Sequence, residues 1–294
     1  MNGNNKVPSI DNFNFVKVLS STPEYKSIVI LLEEKETSKQ GIILINKEPF
    51  DIDNVKEWIK ECSLEYIDSN DIYGNFNITF NQLYNKNKCT FIYPCTEKHI
   101  IKYTEQKTFL IKETGENYKK ITLPYLQENV GEVTWIKNIF EKGSEKESII
   151  YEDKDPEIGF LLLADLKWDR KTTSNMYLQV IVNKKDLKSV RDLNFSHLPL
   201  LENIRTLTYN TLKKNFNIER NEVVMYFHYQ PTYYHLHVHV TPLSLNHPNR
   251  QITSLLLEEV IDNIKLMPNY YQLATLSFIG KEMDDLCQRH LHQA

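Results

Sequence analysis

Four of the nine histidines of this 294-residue chain fall within twelve residues: His228, His235, His237 and His239. The last three alternate with apolar residues as His-Leu-His-Val-His-Val. Successive side chains of a strand point to opposite faces. The spacing therefore predicts three imidazoles on one face, about 7 Å apart, with Leu236, Val238 and Val240 entering the core. Neutral imidazole can ligate a metal, move a proton or attack an electrophile, and strand residues two apart can both reach one ion. Zinc is one reading, although no cysteine or acidic residue lies near the motif in sequence. A phosphate site is the stronger one: a central imidazole attacks phosphorus while its neighbours donate hydrogen bonds to the phosphate oxygens and leaving group. A purely structural row is disfavoured, because each ring facing a core would need a buried partner.

The elements that must carry this motif are legible from periodicity. Strands are expected from Glu222 to Tyr229 and Tyr234 to Val240, and before them at Ser148 to Glu152, Gly159 to Leu163 and Met176 to Val182. A helix is expected at Val133 to Lys142. Ser196 is read as the cap of a long amphipathic helix with Leu198, Leu201, Ile204, Leu207 and Leu212 at helical spacing. Another helix is placed across Ser254 to Ile264 and a last strand at Leu273 to Ile279. Antiparallel strands with helices on one face make an α+β fold. The first hundred residues read as a smaller α+β unit, with apolar runs at Ser27 to Leu32, Gly41 to Asn46 and Thr90 to Tyr93, and helices at Asp53 to Cys62 and Glu97 to Thr104. The Asn- and Tyr-dense stretch from Asp68 to Asn87 reads as a loop or hairpin. Two domains are expected, 1–105 and 106–294. The junction has no Gly/Ser-rich or Pro-rich linker, which suggests domains that dock tightly or exchange between protomers.

Composition narrows the ligand. With 35 Lys+Arg against 39 Asp+Glu the formal net charge is -4, so nothing draws the chain as a whole to long nucleic acid or an anionic membrane. The eight glycines are too scattered for either GxGxxG or GxxxxGK, which removes the commonest phosphate-cradling loops. Cys62, Cys89, Cys95 and Cys287 form no CxxC pair and read as free thiols of a reducing compartment. The N-terminal residues lack a secretory pattern, and no apolar run approaches the roughly 20 residues that span a bilayer. An intracellular chain, cytoplasmic, nuclear or both, is expected.

The run His235 to Thr241 resembles the His-φ-His-φ-His-φ-φ signature of the histidine-triad superfamily, with Thr241 at an often apolar position. The longer run from His228 through Tyr229-Gln230-Pro231-Thr232-Tyr233-Tyr234 into the triad is similar to one branch, the scavenger mRNA decapping enzymes. So are Asp165-Leu166-Lys167-Trp168, Ser189-Val190-Arg191-Asp192-Leu193, His197-Leu198-Pro199-Leu200-Leu201, Tyr93-Pro94 with Thr96-Glu97-Lys98-His99, and Ser69-Asn70-Asp71-Ile72-Tyr73. The similarity covers nearly the whole chain from about residue 14.

The resemblance implies a hydrolase acting without metal or other cofactor on 7-methylguanosine cap dinucleotide or short capped oligonucleotides, giving 7-methyl-GMP and a nucleoside diphosphate or shortened RNA. It implies His237 as a nucleophile forming a covalent phosphohistidine, His235 and His239 orienting it and binding phosphate oxygens, and His228 near the phosphate chain or leaving group. Trp135 would stack on the cationic base, Leu166 would close its other side and Glu145 would accept from guanine N1 and N2. Read by itself, Trp135 on an apolar helical stripe is a core residue; the resemblance reverses that. Asp165 and Lys167 match ribose and phosphate contacts, while Asn70, Tyr73 and Lys102 match positions near the phosphates and second nucleotide. Thr232 and Tyr233 join the substrate-binding set. The implied assembly is a homodimer with exchanged N-terminal domains, in which the first domain covers the site. Two departures stand out: Ala164 occupies a position where the family usually has proline, and Asn246 to Thr253 differs from its pattern. Two other readings are a different histidine-triad activity, such as a dinucleoside polyphosphate hydrolase or nucleoside phosphoramidase, and a cap-binding module without turnover.

Overall fold

The computed structural model describes residues 9–48, 50, 53–82, 85–129, 131, 133–142, 146–165, 168–245 and 254–292. The chain divides into two compact units, one ending at Gln106 and the other starting at Lys107.

In the first unit, β1 (Phe13–Thr22), β2 (Ser27–Glu34) and β3 (Gln40–Lys47) follow one another as an antiparallel meander. Helix α1 (Val55–Glu61) leads into β4 (Ser63–Asn70) and β5 (Tyr73–Thr79), after which β6 (Asn87–Ile92) returns to pair with β3. Helix α2 (Glu97–Tyr103) starts in a capping box, Thr96 with His99, which satisfies two helix-end donors. Its Ile100 joins Leu19, Val29, Leu31 and Ile42 in the small core. The Asn/Tyr-rich stretch covers the end of β4, the turn and β5 of a hairpin that starts at Ser63 and is closed by Asp71 and Ile72, with Asp71 in the left-handed region. Leu64 pairs across from Ile78 and Tyr66 from Phe76, yet every residue of both strands is exposed.

In the second unit, β7 (Thr108–Glu113) precedes α3 (Gly115–Asn117), a π-helical turn at Tyr118–Thr122 and α4 (Leu123–Asn129). Next come α5 (Thr134–Lys142), β8 (Ile149–Glu152), β9 (Phe160–Ala164), β10 (Leu178–Val182), α6 (Leu198–Phe216), β11 (Val223–His228) and β12 (His237–Pro242). The chain closes with β13 (Ser254–Leu256), α7 (Leu257–Leu266), α8 (Tyr270–Leu273), β14 (Leu276–Lys281) and α9 (Asp285–His292). Among the described residues the strands form a six-stranded antiparallel sheet, in the order β13-β11-β12-β10-β9-β8, and a separate β14–β7 pair. One face of the large sheet, with Leu162, Val180, Val238 and Val240, joins the core shared with Leu201, Ile204 and Leu212 of α6 and Val260, Ile261 and Ile264 of α7. On the other face Leu161, Leu163 and Ile181 pack with Ile136 and Ile139 of α5.

Three expectations need correction. Strand β12 starts at His237, because Leu236 N–H bonds to Leu187 O at 2.8 Å and the His235 carbonyl accepts from the His237 ring, outside the sheet ladder. Residues Ser254–Leu256 are a strand and not the start of a helix: pairing with β11 overrides their local pattern. The long helix begins at Leu198. Its entry is organised by Asn194, whose side chain accepts from Ser196 N at 2.9 Å, and not by Ser196.

Candidate active site

The two histidines inside β12 point to the face that carries α5, while Val238 and Val240 enter the main core, as a period of two requires. The rings lie closer together than strand spacing alone predicts. His237 and His239 are 5.0 Å apart between centroids, and His228, at the end of β11, lies 4.4 Å from His239. His235 approaches the group from the loop before β12, and its ring faces Phe140 of α5 at 6.4 Å. His235, His237 and His239 are all buried.

Their hydrogen bonds settle which nitrogens carry protons. A carbonyl oxygen only accepts, so His237 Nδ1, 2.7 Å from His235 O, must bear hydrogen. In the neutral ring Nε2 then holds the lone pair. By the same reasoning His235 Nε2 donates to Val182 O at 2.8 Å. Burial pushes the pKa of His237 from the ordinary 6.5 down to about 4, the bond to His235 O opposing the shift and the nearby His228 and His235 reinforcing it. His235 is lowered as well, again chiefly by burial. At neutral pH the centre of the cluster is therefore an uncharged imidazole with Nε2 unprotonated, the form that attacks phosphorus. His239 is set from beneath: its Nδ1 is 3.1 Å from the Tyr177 hydroxyl, and Tyr226 stacks on it at 5.3 Å. Among the described residues no group of three or more His, Cys, Asp or Glu side chains is arranged to hold a metal ion.

Beside the histidines lies an aromatic and polar flank. Tyr233 stacks flat over His237, with centroids 4.0 Å apart and planes 19° from parallel. Trp135 meets the Tyr233 ring edge to face at 5.1 Å. Ile136 and Ile139 take the buried face of α5, and Trp135 remains 38% exposed, so the amphipathic stripe does not consume it as core. Asp165 follows β9 directly, its N–H bonded to Tyr177 O at 2.9 Å, and its carboxylate accepts from Gln179 at 3.0 Å. Thr232 is exposed on the same loop as Tyr233. Trp135, Asp165, Tyr233, His228, His235, His237 and His239 thus belong to one unit. Asn70 and Tyr73, the exposed ends of the β4–β5 hairpin, and Lys102, exposed on α2, belong to the other. Glu145, Leu166 and Lys167 lie outside the described residues, as does 246–253.

Sequence reasoning missed Tyr177, Gln179 and Tyr226. Their signal was present: each is a polar or amphipathic residue at a period of two beside the triad, Tyr177 just before β10 and Gln179 within it, Tyr226 and His228 within β11. It also missed what Arg191 does. Arg191 is buried, bonds Glu113 through Nε and Nη2, and reaches Tyr271 O and Ala274 O at 2.8 and 2.7 Å. Glu113 in turn accepts from Tyr229, Thr122 and Gln230. This network fastens the base of the 229–236 loop to the β7–β14 pair.

Residues 8–106 match the family described as scavenger mRNA decapping enzyme N-terminal, and residues 134–254 match scavenger mRNA decapping enzyme C-term binding. Relatives named m7GpppX diphosphatase include one from Ascaris suum, 40% identical over 98% of this chain and 96% of its own length. Another, from Caenorhabditis elegans, is 36% identical over 95% of this chain and 90% of its own, and one from Homo sapiens is 36% identical over 93% and 83%. With both segments matched and identities above 30% along nearly the whole length, the chain belongs to the scavenger mRNA decapping enzyme family.

Proposed function

We propose that this protein is an m7GpppX diphosphatase, cleaving the triphosphate bridge of 7-methylguanosine cap dinucleotide or short capped RNA to 7-methyl-GMP and a nucleoside diphosphate or diphosphate-ended RNA. One observation carries the reading: His237 is buried, neutral at pH 7, and tied through Nδ1, which leaves Nε2 as the basic nitrogen. Nε2 attacks the phosphorus next to 7-methylguanosine. The bond from that phosphorus to the bridging oxygen breaks, and the diphosphate departs with the electron pair. Water then attacks the phosphohistidine, releasing 7-methyl-GMP and restoring the imidazole. His228, His235 and His239 orient the ring and stabilise phosphate oxygens and the leaving group.

Trp135 is the platform for the cationic base; its partial exposure supports this, since a stacking indole needs a free face. Leu166 closes the other side and Glu145 accepts from the guanine edge. Asp165 takes the ribose, Lys167 the phosphates, and Thr232 and Tyr233 flank the reacting phosphate. Asn70, Tyr73 and Lys102 bind the phosphates and second nucleotide. The assembly is a homodimer with exchanged first domains. The wholly exposed β4–β5 hairpin, with Leu64, Tyr66, Phe76 and Ile78 on its strands, supports it, because a two-stranded hairpin is marginal in water without a cover.

The decisive experiment is incubation with cap dinucleotide in EDTA and chromatographic identification of the products. Release of 7-methyl-GMP with a diphosphate is expected. Turnover confined to unmethylated dinucleotides would sink the proposal in favour of another histidine-triad hydrolase, and tight binding without products would point to a cap-binding module.

A further inference from the structure

One chain of contacts beside the triad is unexplained by the roles above. Gln179 is the second residue of β10, a strand otherwise apolar from Leu178 to Val182. In the ladder it stands opposite His239 on one side and Leu163 on the other, and its neighbour Ile181 stands opposite His237. Its side chain consequently shares the histidine face. The carboxamide has two partners: Nε2 donates to Asp165 Oδ2 at 3.0 Å, and Oε1 accepts from the Tyr233 hydroxyl at 3.0 Å.

The amide has only one workable orientation. The Asp165 oxygen accepts and the Tyr233 hydroxyl donates, so the NH2 group faces Asp165 and the carbonyl faces Tyr233. Burial raises the Tyr233 pKa, with the Asp165 charge adding to it, which keeps the phenol protonated as the donor this arrangement needs. Tyr233 is pinned at its backbone end by the loop and at its hydroxyl end by Gln179, while the edge-to-face contact of Trp135 limits the ring sideways. The pinned ring lies 4.0 Å above His237. The imidazole is thus constrained in its plane by the bond from Nδ1 to His235 O and across its face by Tyr233.

We propose that Gln179 is a positioning residue: by linking the Asp165 carboxylate to the Tyr233 phenol it holds the Tyr233 ring flat on His237 and so aims the imidazole. This rests on the reading of His237 as nucleophile. An apolar residue at 179 would preserve the strand and lose both links, leaving Tyr233 free to tilt.

The test compares wild type, Gln179→Leu, Tyr233→Phe and the double variant on cap dinucleotide. Each single variant is expected to lower kcat about fivefold, the worth of one buried hydrogen bond, with KM in Gln179→Leu changed less than about twofold. The double variant should be no slower than the worse single one, because both remove the same link. Wild-type kcat in Gln179→Leu, or additive losses, would overturn the inference. Where Leu lowers the yield of folded protein, Gln179→Met keeps the length and lacks the amide. A second readout needs no turnover. The His237 Cε1–H resonance in the full chain should be shifted by the Tyr233 ring current in wild type and relax in Gln179→Leu; an unchanged shift overturns the positioning role. Wild type that shows the shift but does not cleave cap dinucleotide would instead refute the functional reading alone.

Discussion

The second unit holds two buried polar clusters, and they solve burial in opposite ways. Around Glu113 and Arg191 the charges are kept and paired: the guanidinium is wrapped by the carboxylate, the Tyr229 hydroxyl and three carbonyl oxygens. Burial opposes ionisation of Glu113, yet hydrogen bonds from His290, Thr122 and Tyr229 and the charge of Arg191 outweigh it, and its pKa falls. Around His237 the charge is instead refused. Rings stack on rings, backbone carbonyls hold single protons, and the central imidazole stays neutral. A saturated ion pair has no capacity left for a substrate, whereas a neutral, oriented imidazole can gain a bond to phosphorus. Equal burial therefore marks a fastening in one place and a reactive group in the other.

The sharpest way to separate the clusters is to remove the centre of each. His237→Asn should cut turnover of cap dinucleotide by at least about a thousandfold while cap binding, followed by tryptophan fluorescence, survives. Loss of binding in step with turnover would place His237 on the structural side of the comparison. Arg191→Met should do the reverse, costing about 3–5 kcal/mol in chemical denaturation, since it leaves Glu113 buried without its ion-pair partner. A protein with unchanged denaturation midpoint would break the contrast. Replacing Glu113 by Leu in the same chain should recover part of that loss.

Acid should dissect the clusters by pH. Between 6.5 and about 4 the unfolded chain holds a proton on His237 that the folded chain does not. Stability contributed there is full above 6.5 and is lost as pH falls through that window, by up to about 3 kcal/mol. Glu113 is lowered from 4.5, so its contribution is full above 4.5 and declines only below it. Denaturation midpoints measured from pH 7 to 4 should accordingly slope less in His237→Asn than in wild type, and parallel curves would show that another group sets the acid sensitivity. The smallest effect is expected in the first unit. Phe76→Lys on the exposed hairpin should alter monomer stability by no more than about 0.5 kcal/mol, while shifting the sedimentation profile towards monomer. An unchanged profile would remove the hairpin from the proposed dimer.

Much of the frame was legible because it depends on short-range pattern. The period of two set the faces of Val238 and Val240, and the apolar spacing of Leu201, Ile204 and Leu212 set the buried face of α6. Where pattern failed, pairing had decided. Ser254–Leu256 lies along β11 although its residues continue into a helix, and the backbone at His235 and Leu236 is drawn away to Leu187 and to the His237 ring. Trp135 could not be sorted into core or site by periodicity, because that choice depends on which residues of α5 meet β9 and β10.

By itself the sequence determined that imidazoles would share a strand face, that phosphate would be met without a glycine-rich loop, and to which family the chain would be similar. Only the tertiary structure decided that His237 is neutral and which of its nitrogens is basic, that Tyr233 lies flat on it, and that Gln179 joins Tyr233 to Asp165. The reason is physical. Side-chain alternation is a property of neighbouring residues, whereas desolvation, tautomer choice and ring stacking depend on groups brought together from distant points: Gln179 and Tyr233 are separated by 54 positions, Glu113 and Arg191 by 78.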